Sequence, residues 1–391
     1  PEQFGCTLCH GGQGLATTIE GAHGAVAHWE DPMIPAGYYQ AGCGSCHTHI
    51  KVPPVGMADY GKRLFERNDC FSCHTINGRG AGPDLSAIGI KLPRPDWHHL
   101  HLALQEQSVD PIWLENYGPL KAEDVEAIDA FLDTLVQAPR LVEAKALVYR
   151  SGCLGCHRVS GTGGDDGPDL SLTGKKNPNR LDFTYIEGKH NLAEWHKAHL
   201  QDPALLVANS LMPQADLAQK ELEAVTLYML ALRGGDAPMS HWPPPRFAAE
   251  RLGMREFATD GESLFKAFCN SCHGALGQGV RFGIFKQTFP SVTHPEFLAV
   301  ASDRFIRENL MNGRPGRRMP AWGTKDGGLR ASEVQALVDY VRARQPAAPP
   351  LETAAADINV GAGVYSENCA ICHGNNGEGG IGPALSDQNF L

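Results

Sequence analysis

The sequence predicts a mainly α-helical, loop-rich protein, with a compact N-terminal segment followed by tandem small domains. Apolar residues recur at three- and four-residue steps in several stretches, which indicates amphipathic helices. The 391 residues include 44 Gly and 27 Pro, so much of the chain is expected to be loop. No apolar run approaches the roughly 18 residues of a membrane span. The formal net charge of −10 argues against nucleic acid as a partner, because no basic patch is present to neutralise phosphates.

The cysteines indicate the chemistry of the chain. All twelve fall in six pentads of the form Cys-x-x-Cys-His, a pattern typical of c-type haem attachment. Two thiols one helical turn apart can add to the two vinyl groups of one porphyrin, and the His that follows can reach the iron. A disulfide scaffold or paired zinc sites would not require His after every second Cys. We therefore expect six haem c groups. Because such attachment takes place outside the cytoplasm in bacteria, we also expect a periplasmic or extracytoplasmic location.

The pentads are numbered 1 to 6 along the chain. Their cysteines, the expected points of covalent attachment, are Cys6, Cys9, Cys43, Cys46, Cys70, Cys73, Cys153, Cys156, Cys269, Cys272, Cys369 and Cys372. Their histidines, the expected proximal iron ligands, are His10, His47, His74, His157, His273 and His373.

The spacing of the pentads predicts the domain organisation. Pentads 1 and 2 lie too close together for two separate cores, so their haems are expected to pack on each other in one dihaem segment. The wider gaps further along fit one small helical domain per haem. Too few residues follow His373 to complete the last domain, which we expect to be truncated or completed by a neighbouring molecule. The predicted units are the dihaem segment 1–56, a third segment 57–140, a fourth segment 141–233, a Pro-rich linker 234–255, a fifth segment 256–345, a second linker 346–357 and an incomplete sixth segment 358–391.

The third to sixth segments repeat one pattern. An aromatic residue precedes each pentad, a Gly stands four residues before that aromatic in three segments, and a loop containing Pro follows the His. Each complete segment ends in an amphipathic stretch. The aromatics are Phe65, Tyr149, Phe265 and Tyr365, the glycines are Gly61, Gly261 and Gly361, and the prolines are Pro83, Pro168, Pro290 and Pro383. The apolar stripes are Val125, Ile128, Leu132 and Leu135, then Leu222, Val225, Met229 and Leu232, then Val334, Leu337, Val338 and Val341.

Through these residues, the region 57–391 resembles the class I c-type cytochromes. The resemblance implies that the Gly/aromatic helix crosses the C-terminal helix of each domain. It also implies that the carbonyl of the loop Pro accepts a hydrogen bond from Nδ1 of the proximal His, which fixes the tautomer of the ring and tunes the iron. The dihaem segment, with Gly-Gly-Gln-Gly after pentad 1, resembles those of cytochrome subunits of bacterial respiratory complexes.

Two methionines are candidate distal ligands. Met212 and Met319 each stand in a Met-Pro pair downstream of a proximal His, as in the ligand signature of the family. A Met at helical spacing is usually part of a core, but these two lie in Pro-flanked loops. We expect Met212 to complete the haem of pentad 4 and Met319 that of pentad 5. Packing or linker roles are expected instead for four other methionines, Met229, Met239, Met254 and Met311.

The third segment departs from this pattern, because no Met occurs between His74 and Cys153. His98 and His101 have counterparts in the fourth segment, which already has Met212, so a structural role is favoured for both. The extra imidazole is His99. We expect bis-His coordination of this haem, by His99 or by a His of the dihaem segment, and the alternative is an open iron.

Three further histidines in the dihaem segment are candidate distal ligands. They are His23, His28 and His49, and bis-His ligation is common in compact multihaem cytochromes. Met33 and Met57 are weaker candidates.

The predicted function is electron transfer rather than catalysis. We expect a hexahaem cytochrome that carries electrons between a membrane quinol-linked donor complex and a downstream acceptor. Its expected partners are integral-membrane respiratory subunits and other electron-transfer proteins, reached by docking or through an anchor upstream of Pro1. One alternative is a peroxidase or small-oxyanion reductase with an open haem at Cys70 and His74, where Glu106 or His99 would serve as acid or base. The other is a subunit of a polymeric cytochrome filament.

Overall fold

The computed structural model is mainly helical and rich in long loops, with three short β-hairpins among the residues that it describes, which confirms the predicted fold class. The hairpins pair Thr75–Ile76 with Arg79–Gly80, Arg158–Val159 with Thr162–Gly163, and Val280–Phe282 with Gln287–Phe289. Within the described residues, no helix combines the length and apolar character that a membrane crossing requires. The structure describes residues 5–47, 49–91, 111–117, 120–234, 237–282, 287–314, 317–344, 356–380 and 384–386.

The dihaem segment is built from short helical turns. Thr18 accepts a hydrogen bond from the amide of Gly21 and so caps the N-terminus of the second turn. The ten-residue 3₁₀ stretch carries pentad 2 and buries Tyr38 and Ala41. The helices are Cys6–His10 and Ile19–Ala22, and the 3₁₀ stretch is Ala36–Ser45.

The third segment shows the repeated unit in its simplest form. A leading helix before the pentad, Met57–Arg67, crosses a closing helix, Ala122–Asp133. The crossing is tight at Gly61, where an added Cβ would lie 1.8 Å from the carbonyl oxygen of Ala127. This confirms the crossing that the family resemblance implied. The other helical elements are the 3₁₀ turns Cys70–Ser72 and Ile88–Ile90 and the helix Pro111–Tyr117.

The fourth segment has the same plan with more helices between the two that cross. Its leading helix is Pro139–Arg150 and its closing helix is Gln219–Ala231. Asn191 and Asp202 cap the two intervening helices through their side chains. The intervening helices are Leu192–Gln201 and Pro203–Leu206, and the 3₁₀ turns are Cys153–Gly155, Thr173–Lys175 and Pro178–Arg180.

The fifth segment repeats the crossing, and the sixth shows its leading part. In the fifth, an added Cβ at Gly261 would lie 2.2 Å from the carbonyl oxygen of Ala336, in the closing helix. The helices of the fifth segment are Gly261–Phe268, Asn270–His273, Pro295–Val300, Asp303–Asn312 and Ala331–Arg342. Those of the sixth are Ile358–Asn368 and Ala370–His373.

The expected linker 234–255 contains structure of its own. It forms the 3₁₀ turn Met239–His241 and the helix Pro244–Leu252, which starts with Pro at its first position. Residues 346–355 of the second expected linker lie outside the described part of the chain.

The buried apolar residues form three clusters that do not follow one segment each. One cluster lies wholly within the third segment and includes Leu64, Phe65 and Ile128. A second joins the dihaem segment to the fourth segment and includes Val136 and Ala138 of the third, and a third joins the fourth to the fifth. The fourth segment therefore shares its core with both neighbours. The three predicted helical stripes face these clusters, which confirms their assignment as core faces.

Candidate haem-binding sites

Each pentad folds into a single helical turn. In pentads 2 to 6 the amide of the His donates to the carbonyl of the first Cys, with N···O distances between 2.8 and 3.0 Å. Pentad 1 forms the helix Cys6–His10. This turn brings the two thiols and the imidazole of each pentad together, which is the arrangement that attachment to one porphyrin requires.

Burial affects the thiols of several pentads. It raises the pKa of Cys70 and of Cys269 to about 12, and that of Cys153 to about 11. Because the thiolate is the reactive form of cysteine, these side chains are poor nucleophiles once they are buried. The arrangement therefore fits covalent attachment that takes place before the domains close.

The rings of two predicted proximal ligands are held by proline carbonyls. Nδ1 of His157 donates to the carbonyl of Pro168, and Nδ1 of His273 donates to that of Pro290, both at 2.9 Å. Because Nδ1 carries the proton in these bonds, Nε2 of each ring has the lone pair that can coordinate iron. Burial lowers the pKa of both imidazoles, so the rings are held in the neutral form that binds metal. The structure thus confirms the hydrogen bond that the resemblance implied for these two segments.

The two candidate distal methionines lie outside helices, as expected. Met212 is half-buried against the core that the fourth segment shares with the dihaem segment, and its amide donates to Oγ of Ser210 at 3.2 Å. Met319 is half-buried against the core of the fifth segment, and its carbonyl accepts from the amide of Arg314 at 2.9 Å. Their ligation of iron stays a prediction, because these contacts fix the loops rather than the sulfur atoms.

The three candidate histidines of the dihaem segment differ in their surroundings. His23 and His28 are exposed, whereas His49 is buried and neither of its ring nitrogens has a hydrogen-bond partner among the described residues. Burial, with His47 and two other cations nearby, lowers the pKa of His49 to about 3. The neutral, unpartnered ring of His49 therefore has the chemistry of a ligand.

His49 and His47 cannot bind the same iron from opposite faces. Their ring centroids are 5.7 Å apart, and a chain of two residues spans at most about 7 Å, too short to pass around the edge of a porphyrin. If His49 is a ligand, it serves a haem other than that of pentad 2. His98, His99, His101 and Glu106 lie outside the described residues.

One histidine beside pentad 4, His199, is the counterpart of His101, for which the sequence favours a structural role. His199 stacks on Trp195, with ring centroids 5.0 Å apart. It is half-buried, and it lies close enough to His157 for that ring to contribute to the lowering of its pKa. The available signal in the sequence was the repeated Trp-His-x-x-His pattern, because helical spacing puts Trp195 and His199 on one face of the helix.

Pentads 4 and 5 are packed directly against each other. The side chains of Cys156 and Cys272 lie close enough for each to affect the ionisation of the other, and this interaction, with burial, raises the pKa of Cys156. An added Cβ at Gly155 would lie 2.1 Å from Oγ of Ser271. Across the same contact, Arg318 donates to Asp166 at 2.9 Å. The two attachment points therefore belong to one continuous surface, although they are far apart in the sequence.

Other pentads also meet the backbone of a neighbour. An added Cβ at Gly42, beside pentad 2, would lie 1.7 Å from the carbonyl oxygen of Cys9 in pentad 1. An added Cβ at Gly44 would lie 2.1 Å from the carbonyl oxygen of Ala231, at the end of the fourth segment's closing helix. In the fifth segment, Arg317 donates to the carbonyl of Gly380 in the sixth at 2.7 Å. Close contacts thus link pentads 1 and 2, the fourth and fifth segments, and the fifth and sixth segments.

Two buried cations near pentad 2 were missed by the sequence reasoning. Lys145 stands where the other repeats have Gly61, Gly261 and Gly361, and this break in the pattern was the available signal. Arg246 lies in the expected linker, where a neighbouring Trp was the sign that the stretch was more than a spacer.

The residues present fit haem c. Paired thiols on one turn, imidazoles with a fixed tautomer and free Nε2 atoms, and the buried, unpartnered ring of His49 are the donors that this group needs. The helical domains and this donor set together define sites of the c-type cytochrome class.

Comparison with known proteins leads to the same class. The protein-family model "Cytochrome c" matches residues 58–135 and 141–233. The model "Cytochrome C oxidase, cbb3-type, subunit III" matches residues 256–341 and 356–390. No solved structure gives a significant match.

Several curated proteins are similar to parts of the chain. A "Cbb3-type cytochrome c oxidase subunit CcoP" of Azospirillum sp. (strain B510) is 32% identical over 149 residues, which are 34% of this chain and 47% of that protein. A "Cbb3-type cytochrome c oxidase subunit FixP" of Bradyrhizobium sp. (strain ORS 278) is 32% identical over 143 residues, 34% of this chain and 45% of that protein. A CcoP subunit of Rhodobacter capsulatus is 31% identical over 232 residues, 56% of this chain and 69% of that protein. The chain thus spans about half the length of the first two relatives.

The chain therefore belongs to the multihaem c-type cytochromes with tandem cytochrome c domains, the family that includes these subunits. It carries haem c.

Proposed function

We propose that this chain is a hexahaem electron-transfer subunit in which electrons pass between haems whose attachment turns touch. The observation that carries the proposal is the contact between pentads 4 and 5, where an added Cβ at Gly155 would lie 2.1 Å from Oγ of Ser271. Electron tunnelling slows steeply with distance, so haems bound at adjoining turns exchange electrons much faster than haems at the far sides of separate domains. The contact of pentad 1 with pentad 2 supports a second such pair.

The proposed roles of the side chains follow from their positions. The twelve cysteines bind the porphyrins, the pentad histidines supply the proximal ligands, and Met212 and Met319 supply the distal ligands of the fourth and fifth haems. Each haem, when bound, supplies a one-electron couple. The carbonyls of Pro168 and Pro290 keep His157 and His273 in one tautomer and orientation during oxidation and reduction. The buried clusters around the pentads exclude water from these sites.

The proposed partners are subunits of a membrane respiratory complex on the periplasmic or extracytoplasmic face. The support is the similarity to subunits named for a cbb3-type cytochrome c oxidase, and the match of 256–341 and 356–390 to the subunit III model. We propose that electrons enter from a quinol-linked donor in the membrane and leave to a downstream acceptor.

Mass spectrometry of the intact holoprotein tests the proposal. The mass should exceed that of the polypeptide by six haems, and no thiol should react with an alkylating agent. A mass with five haems, or a reactive thiol, would contradict the hexahaem assignment.

Carbon monoxide separates the carrier from the open-haem enzyme. For a carrier with bis-His coordination at pentad 3, the haem of that pentad in the fully reduced protein should bind no carbon monoxide rapidly. Rapid binding at one haem that is lost on replacing His74, and unaffected by replacing His23, His28, His49 or His99, would show an open site and favour the enzyme.

A further inference from the structure

The loop that carries Met319, the expected distal ligand of the fifth haem, is closed at its base by backbone contacts. The amide of Arg314 donates to the carbonyl of Met319 at 2.9 Å, and the two residues pair as a short antiparallel bridge. Gly313, with a φ of 65°, precedes this bridge, and an added Cβ there would lie 2.7 Å from the same carbonyl oxygen. These contacts do not involve the side chains that the loop carries.

Two consecutive arginines of this loop reach other segments. Arg317 donates to the carbonyl of Gly380 in the sixth segment at 2.7 Å. Arg318, the residue immediately before Met319, donates to Oδ1 of Asp166 in the fourth segment at 2.9 Å. The side chains of this ion pair are 27% and 32% exposed, so solvent screens their attraction only in part. A charged contact therefore ties the loop to the fourth segment one residue away from the candidate ligand.

Asp166 belongs to the loop that follows pentad 4. The amide of the next residue, Gly167, donates to the carbonyl of Cys156 at 2.8 Å. An added Cβ at Gly167 would lie 2.4 Å from the ring of His157, the predicted proximal ligand of the fourth haem. The ion pair therefore joins the proximal loop of the fourth segment to the distal loop of the fifth.

Other contacts hold the same two segments together. The amide of Gly163 donates to the carbonyl of Gly327 at 3.1 Å, and the side chain of Arg158 donates to the carbonyl of Asp326 at 2.7 Å. The fourth and fifth segments also share a buried apolar cluster. Loss of the ion pair should therefore release the Met319 loop without separating the two segments.

We propose that Asp166, acting through Arg318, is a positioning residue for Met319, so that the fourth segment stabilises the bond between this sulfur and the iron of the fifth haem. The inference rests on the proposed function, because it requires Met319 to be a distal ligand. The ion pair forms only while the loop lies against the fourth segment, so its free energy favours the state in which the sulfur is held at the iron. Removing the pair should therefore make the iron more accessible to a competing ligand.

The test is a titration of the fully oxidised holoprotein with imidazole, which competes with a thioether for ferric iron. The binding phase of the fifth haem is the one that Met319→His removes, and that of the fourth haem is the one that Met212→His removes. Asp166→Ala should raise the apparent imidazole affinity of the fifth haem about two- to fivefold, the factor expected for a partly exposed ion pair. The phase of the fourth haem should be unchanged, which general loosening of the protein would not predict.

The matched control is Asp165→Ala, which removes an exposed carboxylate from the neighbouring position of the same loop and should change neither phase. Arg318→Ala should have the same effect as Asp166→Ala, and the double variant should add nothing further, because both substitutions remove one interaction. Asp166→Asn, which keeps the size of the side chain and removes its charge, should change the affinity in the same direction. The reading therefore does not depend on the folding of a single variant.

Two negative results have different meanings. A fifth-haem affinity that stays at the wild-type value in Asp166→Ala and Asp166→Asn, or that rises equally in Asp165→Ala, would overturn the inference and leave Met319 as a ligand. If Met319→His removes no imidazole phase, Met319 is not a ligand, and its role in the proposed function is refuted together with the inference.

Discussion

The third and fourth segments contain the same pair of crossing helices but differ in how they pack against neighbouring segments. At the crossing, the third segment has Gly61, and the buried cluster around that crossing consists of the segment's own residues. The equivalent position in the fourth segment is Lys145, of which 2% is exposed. Its ammonium group donates to the carbonyl of Ile50 at 2.6 Å and to Glu256 at 2.9 Å.

This difference shows that the same crossing of helices can pack within its own segment or can join several segments. Lys145 links the leading helix of the fourth segment to the end of the dihaem segment and to the start of the fifth. The amide of Val52 reinforces this junction by donating to the carbonyl of Glu256 at 2.9 Å. The fourth segment thus packs against several neighbours, whereas the third contributes Val136 and Ala138, beyond its closing helix, to the core that it shares with the fourth.

Replacing Lys145 with Met should have the largest effect on stability. The substitution leaves the Glu256 carboxylate and the Ile50 carbonyl without their partner, and breaking a buried ion pair costs on the order of 3 kcal/mol. Urea unfolding of the holoprotein, followed by circular dichroism, measures the loss. The control is Lys51→Met, which breaks the exposed pair with Asp133 and should cost less than about 1 kcal/mol. Equal losses of unfolding free energy in the two variants would mean that the buried contacts of Lys145 contribute no more to stability than an exposed ion pair does.

The second prediction concerns the iron ligands. Met212→His would give the fourth segment the bis-His coordination that is expected for the third. Met212→His should keep its haem low-spin and lower its potential by about 0.1 V, because imidazole favours ferric iron more than a thioether does. Met319→His should do the same for the fifth segment. A redox titration measures both, and Met229→Leu, a core position, is the control. Unchanged titrations in both His variants would show that neither Met is a ligand.

The smallest effect concerns the crossing in the third segment. Gly61→Ala places a methyl group against the carbonyl of Ala127 and should destabilise this segment by about 1–2 kcal/mol. Hydrogen exchange should show faster opening in 57–67 and 122–133 while the fourth segment is unaffected, since the crossing helices of the third segment pack in a cluster of their own. Gly361→Ala, at the same position of the sixth segment, meets nothing within 4 Å and should be neutral or slightly stabilising. Simultaneous opening of both segments would show that they form one cooperative unit.

Sequence reasoning predicted the parts of the fold that local patterns specify. The crossing helices follow from the spacing of Gly61, Phe65 and the apolar stripe that ends at Leu135, and the proline hydrogen bond to His157 follows from the family pattern. These features depend on residues within one repeat. The position of the methionine loops also agrees with the sequence, because proline excludes helix there.

The contacts between segments could not be predicted in this way. Cys156 meets Cys272 and Arg246 meets Ser45 across more than a hundred residues, and no periodicity relates such distant positions. The helix in the expected linker 234–255 could not be predicted from composition for a different reason. Prolines are compatible with the first turn of a helix as well as with a spacer. The helix Pro244–Leu252 is of the first kind.

Electron paramagnetic resonance of the fully oxidised protein tests the central claim most directly. If the haems of pentads 4 and 5 adjoin through Cys156 and Cys272, their low-spin ferric signals should be broadened or split by spin–spin interaction. Gly155→Val should weaken that interaction, because its side chain enters the contact with Ser271, whereas Gly37→Val, where an added Cβ meets nothing within 4 Å, should leave it unchanged. Six independent signals in the wild-type protein, identical in Gly155→Val, would contradict the account.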